Sequence, residues 1–265
     1  MSRFVGAFVI LLSYPLALAA APVNDNFSDA TLLQGSNTST NGTHAGATFE
    51  SGEPIPIPSA GGTLWWTFQP SLSSSYLIEA VHPQAWLPNP VVKAYRGDSL
   101  DTLLSFPNRF PGFPENSSRM TLRATAGDDI HLQVIDISSN SAPVTLVLRA
   151  AAFNDDFQNA ISITNTITTG TTGGASFEVG EIARPSVWLK WQPDSTSGYK
   201  FTLPSPSHAF SLYEGTSLTS LVLRATTESP TLQVPNAAAS FTLFADASKT
   251  YFISVVGLTH YSESF

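Results

Sequence analysis

No cysteine occurs in this 265-residue sequence, and its 12 lysines and arginines are outnumbered by 20 acidic residues. The missing thiols exclude a disulfide scaffold, a thiolate metal site and a cysteine nucleophile. The shortage of cations, with a formal net charge of −8, argues against a nucleic-acid partner, because phosphate contacts need clustered Lys and Arg. Charge of either sign is scarce: 12% of residues, half of the ~25% usual in soluble domains. After the first twenty residues no apolar run is long enough to span a bilayer. Hydroxyls fill the gap, with 34 Ser and 27 Thr. An apolar content of 42% with 11% aromatics is more than a disordered chain carries. The length suits one large domain or two ordinary ones.

Residues 1–21 have the layout of a secretory signal peptide. Arg3 is a short positive region, 4–18 form an apolar run interrupted at Ser13, Tyr14 and Pro15, and Ala17-Leu18-Ala19 offers a small-residue cleavage site. The run is too short for a membrane anchor, so a secreted or cell-surface chain is expected, without a membrane span after cleavage. Export without cysteine points to a bacterial source, since small eukaryotic secreted domains tend to be disulfide-rich. Asn26, Asn37, Asn41 and Asn116 begin glycosylation sequons that matter only if that inference fails.

The mature sequence repeats once. Asn24-Asp25-Asn26-Phe27 recurs as Asn154-Asp155-Asp156-Phe157, and Phe49-Glu50-Ser51-Gly52-Glu53 as Phe177-Glu178-Val179-Gly180-Glu181. Trp65-Trp66-Thr67-Phe68-Gln69-Pro70 matches Trp188-Leu189-Lys190-Trp191-Gln192-Pro193. Tyr95-Arg96-Gly97-Asp98-Ser99-Leu100 matches Tyr213-Glu214-Gly215-Thr216-Ser217-Leu218, and 120–136 aligns without a gap to 241–257. Two drifts in offset place insertions in loops at 54–58 and 82–90 of the first copy. The units are therefore 22–152 and 153–265.

Within each copy the pattern is β. Short β-branched and aromatic runs at 63–68, 76–81, 91–95, 130–135 and 144–148 are separated by Gly, Pro, Ser and Asn, and the second copy repeats them at 187–191, 199–203, 210–213 and 251–256. One turn of helix is expected at 28–33 and 158–163. The fold expected is all-β: two tandem jelly-roll-like β-sandwiches, with Thr and Ser covering the solvent faces of strands. In the second copy the counterpart of the 144–148 strand is expected to be missing or barely begun. An unclosed sandwich exposes a strand edge, so the chain is expected to be part of a longer polypeptide.

The five histidines (His44, His82, His131, His208, His260) show no metal spacing and do not recur between copies. No nucleophile elbow, zinc-protease helix or phosphate loop is present, so a non-catalytic chain is expected. Glu50/Glu53 and Glu178/Glu181 have two readings: a glycosidase carboxyl pair, or a structural turn, which tandem small sandwiches favour. Asp25, Asn26, Glu50, Asp155, Asp156 and Glu178 offer hard oxygen ligands suited to calcium; the competing reading is that they accept backbone N–H groups and fix the domain entry. Alternation puts Leu64, Trp66 and Phe68 (Val187, Leu189 and Trp191 in the second copy) in the core, and Trp65 and Trp188 on the opposite face. There each Trp either stacks on a ligand such as a sugar ring or is covered by the Asn-Asp-x-Phe segment. Trp86, in the loop unique to the first copy, is the freer aromatic for ligand contact.

These landmarks together, in one order and twice over nearly all of 22–265, resemble the bacterial pre-peptidase C-terminal-like domain family. The resemblance rests on Asn24 to Phe27, Ala47 to Glu53, Trp65 to Pro70 and Tyr95 to Leu100, with their counterparts from Asn154 to Leu218. It implies a secreted, non-catalytic, jelly-roll-like sandwich, appended to exported proteases or repeated in large surface proteins. Here the copies directly follow the signal peptide, which departs from the protease-appended arrangement. The reading is a binding, adhesion or structural module contacting an extracellular polysaccharide or protein; the alternative is an accessory region of an exported hydrolase whose catalytic domain lies outside this chain.

Overall fold

The computed structural model describes residues 20–54, 61–84, 88–108, 117–137, 142–164, 167–181, 184–227, 239–258 and 264–265. The segment before residue 20, Trp86, Asn116 and His260 lie outside the described residues. The first copy contributes β1 (Thr31–Leu33), β2 (Asn37–Thr43), β3 (Thr63–Phe68), β4 (Ser74–Val81), β5 (Val91–Arg96), β6 (Leu104–Ser105), β7 (Arg119–Ala124), β8 (Ile130–Ile135) and β9 (Pro143–Ala150). The second contributes β10 (Ile161–Ile163), β11 (Ser186–Trp191), β12 (Ser197–Leu203), β13 (His208–Glu214), β14 (Val222–Thr226), β15 (Ala239–Ala245) and β16 (Tyr251–Gly257). Among the described residues no helix is long and apolar enough to cross a membrane.

The protein is all-β, two β-sandwiches in tandem. In the first, a sheet of order β1-β3-β8-β5-β6 packs on a sheet of order β2-β9-β4-β7. Period-2 alternation explains the core: Leu64, Trp66 and Phe68 of β3 point inward against Tyr76, Ile78, Leu122 and Leu146 of the facing sheet. Burial of each such side chain contributes roughly 1.5–3 kcal/mol. The second sandwich repeats the larger sheet as β10-β11-β16-β13-β14, and Val187, Leu189 and Trp191 again face its core. Its facing sheet is the pair β12-β15.

One expectation is revised. The segments at 28–33 and 158–163 make only single 3-10 turns, Phe27–Asp29 and Phe157–Asn159. The chain then enters β1 and β10, which pair in parallel with β3 and β11. Sheet hydrogen bonds from a distant strand outweigh the local helical tendency. At the closing strand of the second sandwich, expected to be missing or barely begun, the described residues show one bridge. Thr171 bridges Ser264, as Thr43 pairs with Pro143 in the first.

The recurring Tyr-x-Gly-x-Ser-Leu landmark has a steric cause. Gly97 has φ +128°, and a Cβ there would lie 2.6 Å from the Thr102 carbonyl oxygen. Gly215 has φ +155°, with the same atom of Ser220 at 2.9 Å. In each copy the serine that follows caps a 3-10 turn reciprocally, Ser99 with Thr102 and Ser217 with Ser220.

Candidate functional site

The repeated polar residues converge on the outer face of the larger sheet, where they form a clasp. In the first copy Asn24 and Trp65 exchange hydrogen bonds. The Asn24 side-chain amide donates to the Trp65 carbonyl (3.0 Å), and the Trp65 N–H donates to the Asn24 carbonyl (2.8 Å). Asp25 accepts the Thr48 N–H at 2.6 Å and its hydroxyl at 2.7 Å. Glu50 accepts the Phe27 N–H at 2.9 Å. The Phe27 ring then lies edge-on to Trp65 at 5.2 Å and against His131 at 4.5 Å. Glu53 accepts the Trp65 indole N–H at 2.8 Å and the Thr63 hydroxyl at 2.7 Å.

The second copy rebuilds the same clasp. The Asn154 amide donates to the Trp188 carbonyl at 2.8 Å, Asp155 accepts the Ser176 N–H and hydroxyl at 2.6 and 2.7 Å, and Glu178 accepts the Phe157 N–H at 2.8 Å. Phe157 lies edge-on to Trp188 at 5.1 Å and against Phe252 at 4.4 Å. Glu181 accepts the Trp188 indole at 3.0 Å, the Ser186 hydroxyl at 2.5 Å and the Glu178 N–H at 2.8 Å.

This geometry decides several sequence readings. Trp65 and Trp188 are 0% and 3% exposed, so the ligand-stacking role is corrected to a covered one: Phe27 and Phe157 close over the indoles. The candidate calcium ligands serve the fold's own hydrogen bonds. The oxygens of Asp25, Glu50, Asp155 and Glu178 already accept the chain's own N–H and O–H groups. Asn26 bonds Asp29, and Asp156 pairs with Arg123. Among the described residues no three His, Asp or Glu side chains form a metal cage. The glycosidase reading of the Glu pairs yields to the turn, since each carboxylate is engaged by the fold.

The clasp of the second copy also joins the two sandwiches. Ser176, held by Asp155, sits 2.8 Å from the hydroxyl of Ser75 in the first copy, and Asp156 receives Arg123 from β7. Asp156 stands where the first copy has Asn26, so the altered residue supplies one of these two contacts across the junction.

One difference between the clasps opens a cleft. In the first copy Gln133 is fully buried and accepts the Tyr95 hydroxyl at 3.0 Å. Its counterpart on β16 is Ser254, several atoms shorter. Beside Ser254 the second sandwich has a small solvent-reaching cleft of about 30 Å³, its polar lining Glu181, Arg184, Ser186, Trp188, Tyr213 and Ser254 and its apolar side closed by Leu218, Leu221 and Val256. Burial is the main reason the Glu181 carboxyl is pushed up to about 8, against the pull of its hydrogen bonds from Ser186, the Glu178 N–H and Trp188; the nearby Asp155 charge adds to the rise. Near neutral pH Glu181 is therefore largely protonated, a neutral group next to a guanidinium and three hydroxyls. Such a set gives and takes hydrogen bonds with a small uncharged polar group. Sequence reasoning did not find this cleft; the signal was the Gln133/Ser254 difference inside an ungapped alignment.

No family model and no curated protein sequence matches the chain. Among solved structures it is similar to the N-terminal CBM22-1-CBM22-2 tandem domain from Paenibacillus barcinonensis Xyn10C, at 11% identity over 73% of this chain and 74% of that one, with a TM-score of 0.21. It is also similar to the tandem CBM51 modules of Sp3GH98, the family 98 glycoside hydrolase from Streptococcus pneumoniae SP3-BS71, at 6% identity over 78% and 80%, with a TM-score of 0.22.

Proposed function

We propose that this chain is a secreted, non-catalytic binding unit of a bacterial extracellular or cell-surface protein, built from two tandem modules of the pre-peptidase C-terminal-like kind, and that it binds through the cleft beside Glu181. The resemblance of the repeated landmarks and the export-type leader support the class and the location. The observation that carries the binding role is the exchange of Gln133 for Ser254. On an otherwise repeated framework it clears space around a protonated carboxyl, Arg184 and the Ser186, Tyr213 and Ser254 hydroxyls. The chemistry of that lining fits a hydroxyl or amide group of an extracellular polysaccharide or protein.

The test is a glycan array and an immobilised extracellular-protein panel probed with the whole chain, beside Ser254→Gln, which refills the cleft as Gln133 does. Saturable binding lost at least tenfold in Ser254→Gln is the expected result. Binding untouched by that variant, or turnover of a bound glycan or peptide, would overturn the proposal.

A further inference from the structure

One end of the first sandwich gathers buried ionisable side chains that neither the clasp nor the cleft uses. His44, His82 and Asp136 each stand one residue past a strand, β2, β4 and β8, and are 1%, 6% and 0% exposed. The start of β9 lies between the two histidines. The Ala142 carbonyl accepts the His44 backbone N–H at 3.3 Å, and the Pro143 carbonyl accepts from His82 Nδ1 at 2.8 Å. Asp136 is fixed by backbone hydrogen bonds with Gly61 and Gly62 at 2.7 and 3.1 Å.

These contacts set the tautomers. A carbonyl oxygen only accepts, so the ring nitrogen that faces one carries the proton. That nitrogen is Nε2 in His44, 3.2 Å from the Val134 carbonyl, and Nδ1 in His82. The opposite nitrogens, Nδ1 of His44 and Nε2 of His82, are buried and have no hydrogen-bond partner among the described residues. Both rings are therefore seated as neutral imidazoles, and a further proton puts an N–H and a charge where water is excluded. The charged groups that reach His44 are His82, from the end of β4, and Asp136, from the end of β8. Burial dominates and holds His44 below the ordinary histidine range; the Val134 and Ala142 carbonyls and Asp136 oppose that fall, and His82 adds to it.

The second sandwich fills this place differently. Thr172 stands where His44 does: each follows the threonine that meets the closing strand, and each carbonyl accepts from an alanine three residues on, Ala47 at 3.0 Å and Ala175 at 3.1 Å. Gly257 stands at the position of Asp136. The imidazole there is His208, with the Thr172 hydroxyl 3.0 Å from Nε2 and the Ser205 hydroxyl 2.7 Å from Nδ1. Burial disfavours its charge too, but a hydroxyl can donate or accept, so both nitrogens stay partnered in either protonation state.

We propose that His44, His82 and Asp136 form an acid-sensitive catch, which keeps the end of the β2–β9 pair closed while both imidazoles are neutral and releases it when they are protonated. Asp136 balances one imidazolium; a second leaves a buried charge without a counter-charge. Folded His44 binds its proton less tightly than the unfolded chain does. Its contribution to stability is therefore full above pH 6.5 and is lost as pH falls below that value. The catch is independent of the cleft at Ser254, and its pH dependence is opposite in sign to that of Glu181.

The test is amide hydrogen exchange on the whole chain near pH 7 and near pH 5, with each rate normalised to that of the unstructured peptide at the same pH. The His44 and Ala47 amides, which close the end of β2, should lose at least tenfold in protection at the lower pH, while the β3–β8 ladder keeps its own. The double variant His44→Thr, His82→Gln removes both imidazoles and gives position 44 the residue of the second copy. Its protection should be the same at both pH values. Ring C–H resonances of the unaltered chain test the catch without substitution: His44 should titrate below pH 6.5, in step with the loss of protection. His131→Phe removes the other described histidine of this sandwich, puts the counterpart Phe252 in its place, and should leave the response intact. Protection unchanged by pH overturns the proposal, as does a response that survives in the double variant or a His44 ring that does not titrate with it. A response abolished by His131→Phe also overturns it, placing the sensor in the clasp.

Discussion

The indole N–H of Trp65 donates to the Glu53 carboxylate across 2.8 Å, and the Phe27 ring packs edge-on to the same indole. Trp188 and Glu181 repeat the pair at 3.0 Å. A tryptophan on the outer face of a sheet is thereby buried without leaving its one donor unsatisfied. The carboxyl gains a donor and loses water, and for Glu53 burial prevails and raises its pKa above the ordinary carboxylate range.

Glu53→Ala removes that acceptor while Trp65 and Thr63 remain buried. Stranding the indole N–H should cost about 1–3 kcal/mol, while the Thr63 hydroxyl keeps the Thr48 carbonyl at 3.4 Å. The first sandwich should melt earlier in calorimetry while the second is unchanged. Glu53→Gln keeps one acceptor oxygen and should lose less than half as much.

Glu181 makes the second sandwich pH-sensitive. An acid held near 8 when folded, against 4.5 in the unfolded chain, binds its proton more tightly in the native state. Its contribution is fully present below pH 4.5 and is lost as pH rises through 8, the opposite of a salt-bridged carboxylate. A fall of about 2–4 kcal/mol across that window is expected, with partial solvent access trimming the full linkage figure. Glu181→Gln should flatten the profile of Tm against pH for this transition. An unchanged slope in the variant would assign the effect to Asp155, whose carboxyl burial also raises.

The repeat made the larger sheets legible in the sequence and gave the clasp as one of two readings of its residues. Five landmarks in one order located β3, β5 and β8 with their partners in the second copy, and alternation in Trp65-Trp66-Thr67-Phe68 separated core from outer face. What escaped was decided by tertiary contact. Strand β2, Asn-Thr-Ser-Thr-Asn-Gly-Thr, has no apolar residue to mark it. It is strand because β9 pairs along its whole length and because Gly42 leaves room for Leu64 and Trp66, 3.0 and 3.1 Å from where a Cβ would stand. The cleft escaped because Ser254 reads as an unremarkable strand hydroxyl until Gln133 is seen to fill the equivalent space.

Calcium should be without effect on stability. The carboxylates of Asp25 and Asp155 each hold a backbone N–H and a hydroxyl at 2.6–2.7 Å, so a cation would have to displace donors already in place. Melts in millimolar calcium and in EGTA should superimpose within replicate scatter. A reproducible rise in Tm with calcium, abolished by Asp25→Asn, would restore the metal reading.

The ion pair between Arg123 and Asp156 crosses from one sandwich to the other, with Asp156 largely buried and Arg123 partly open to solvent. Arg123→Ala leaves that carboxylate in place without its cation, and a buried charge stripped of its partner is costlier than the pair was favourable. A loss of about 1–3 kcal/mol is expected for the second sandwich. The first sandwich, which loses only a half-exposed side chain, should change little. Asp156→Asn reproduces the residue of the first copy and removes the charge itself. In the Arg123→Ala background it should therefore recover part of the loss, and a double-mutant cycle reads the coupling directly. Two calorimetric transitions that move apart in Arg123→Ala and approach again in the double variant would show that Asp156 carries the junction. Strictly additive shifts would show that the Ser75–Ser176 contact holds it alone.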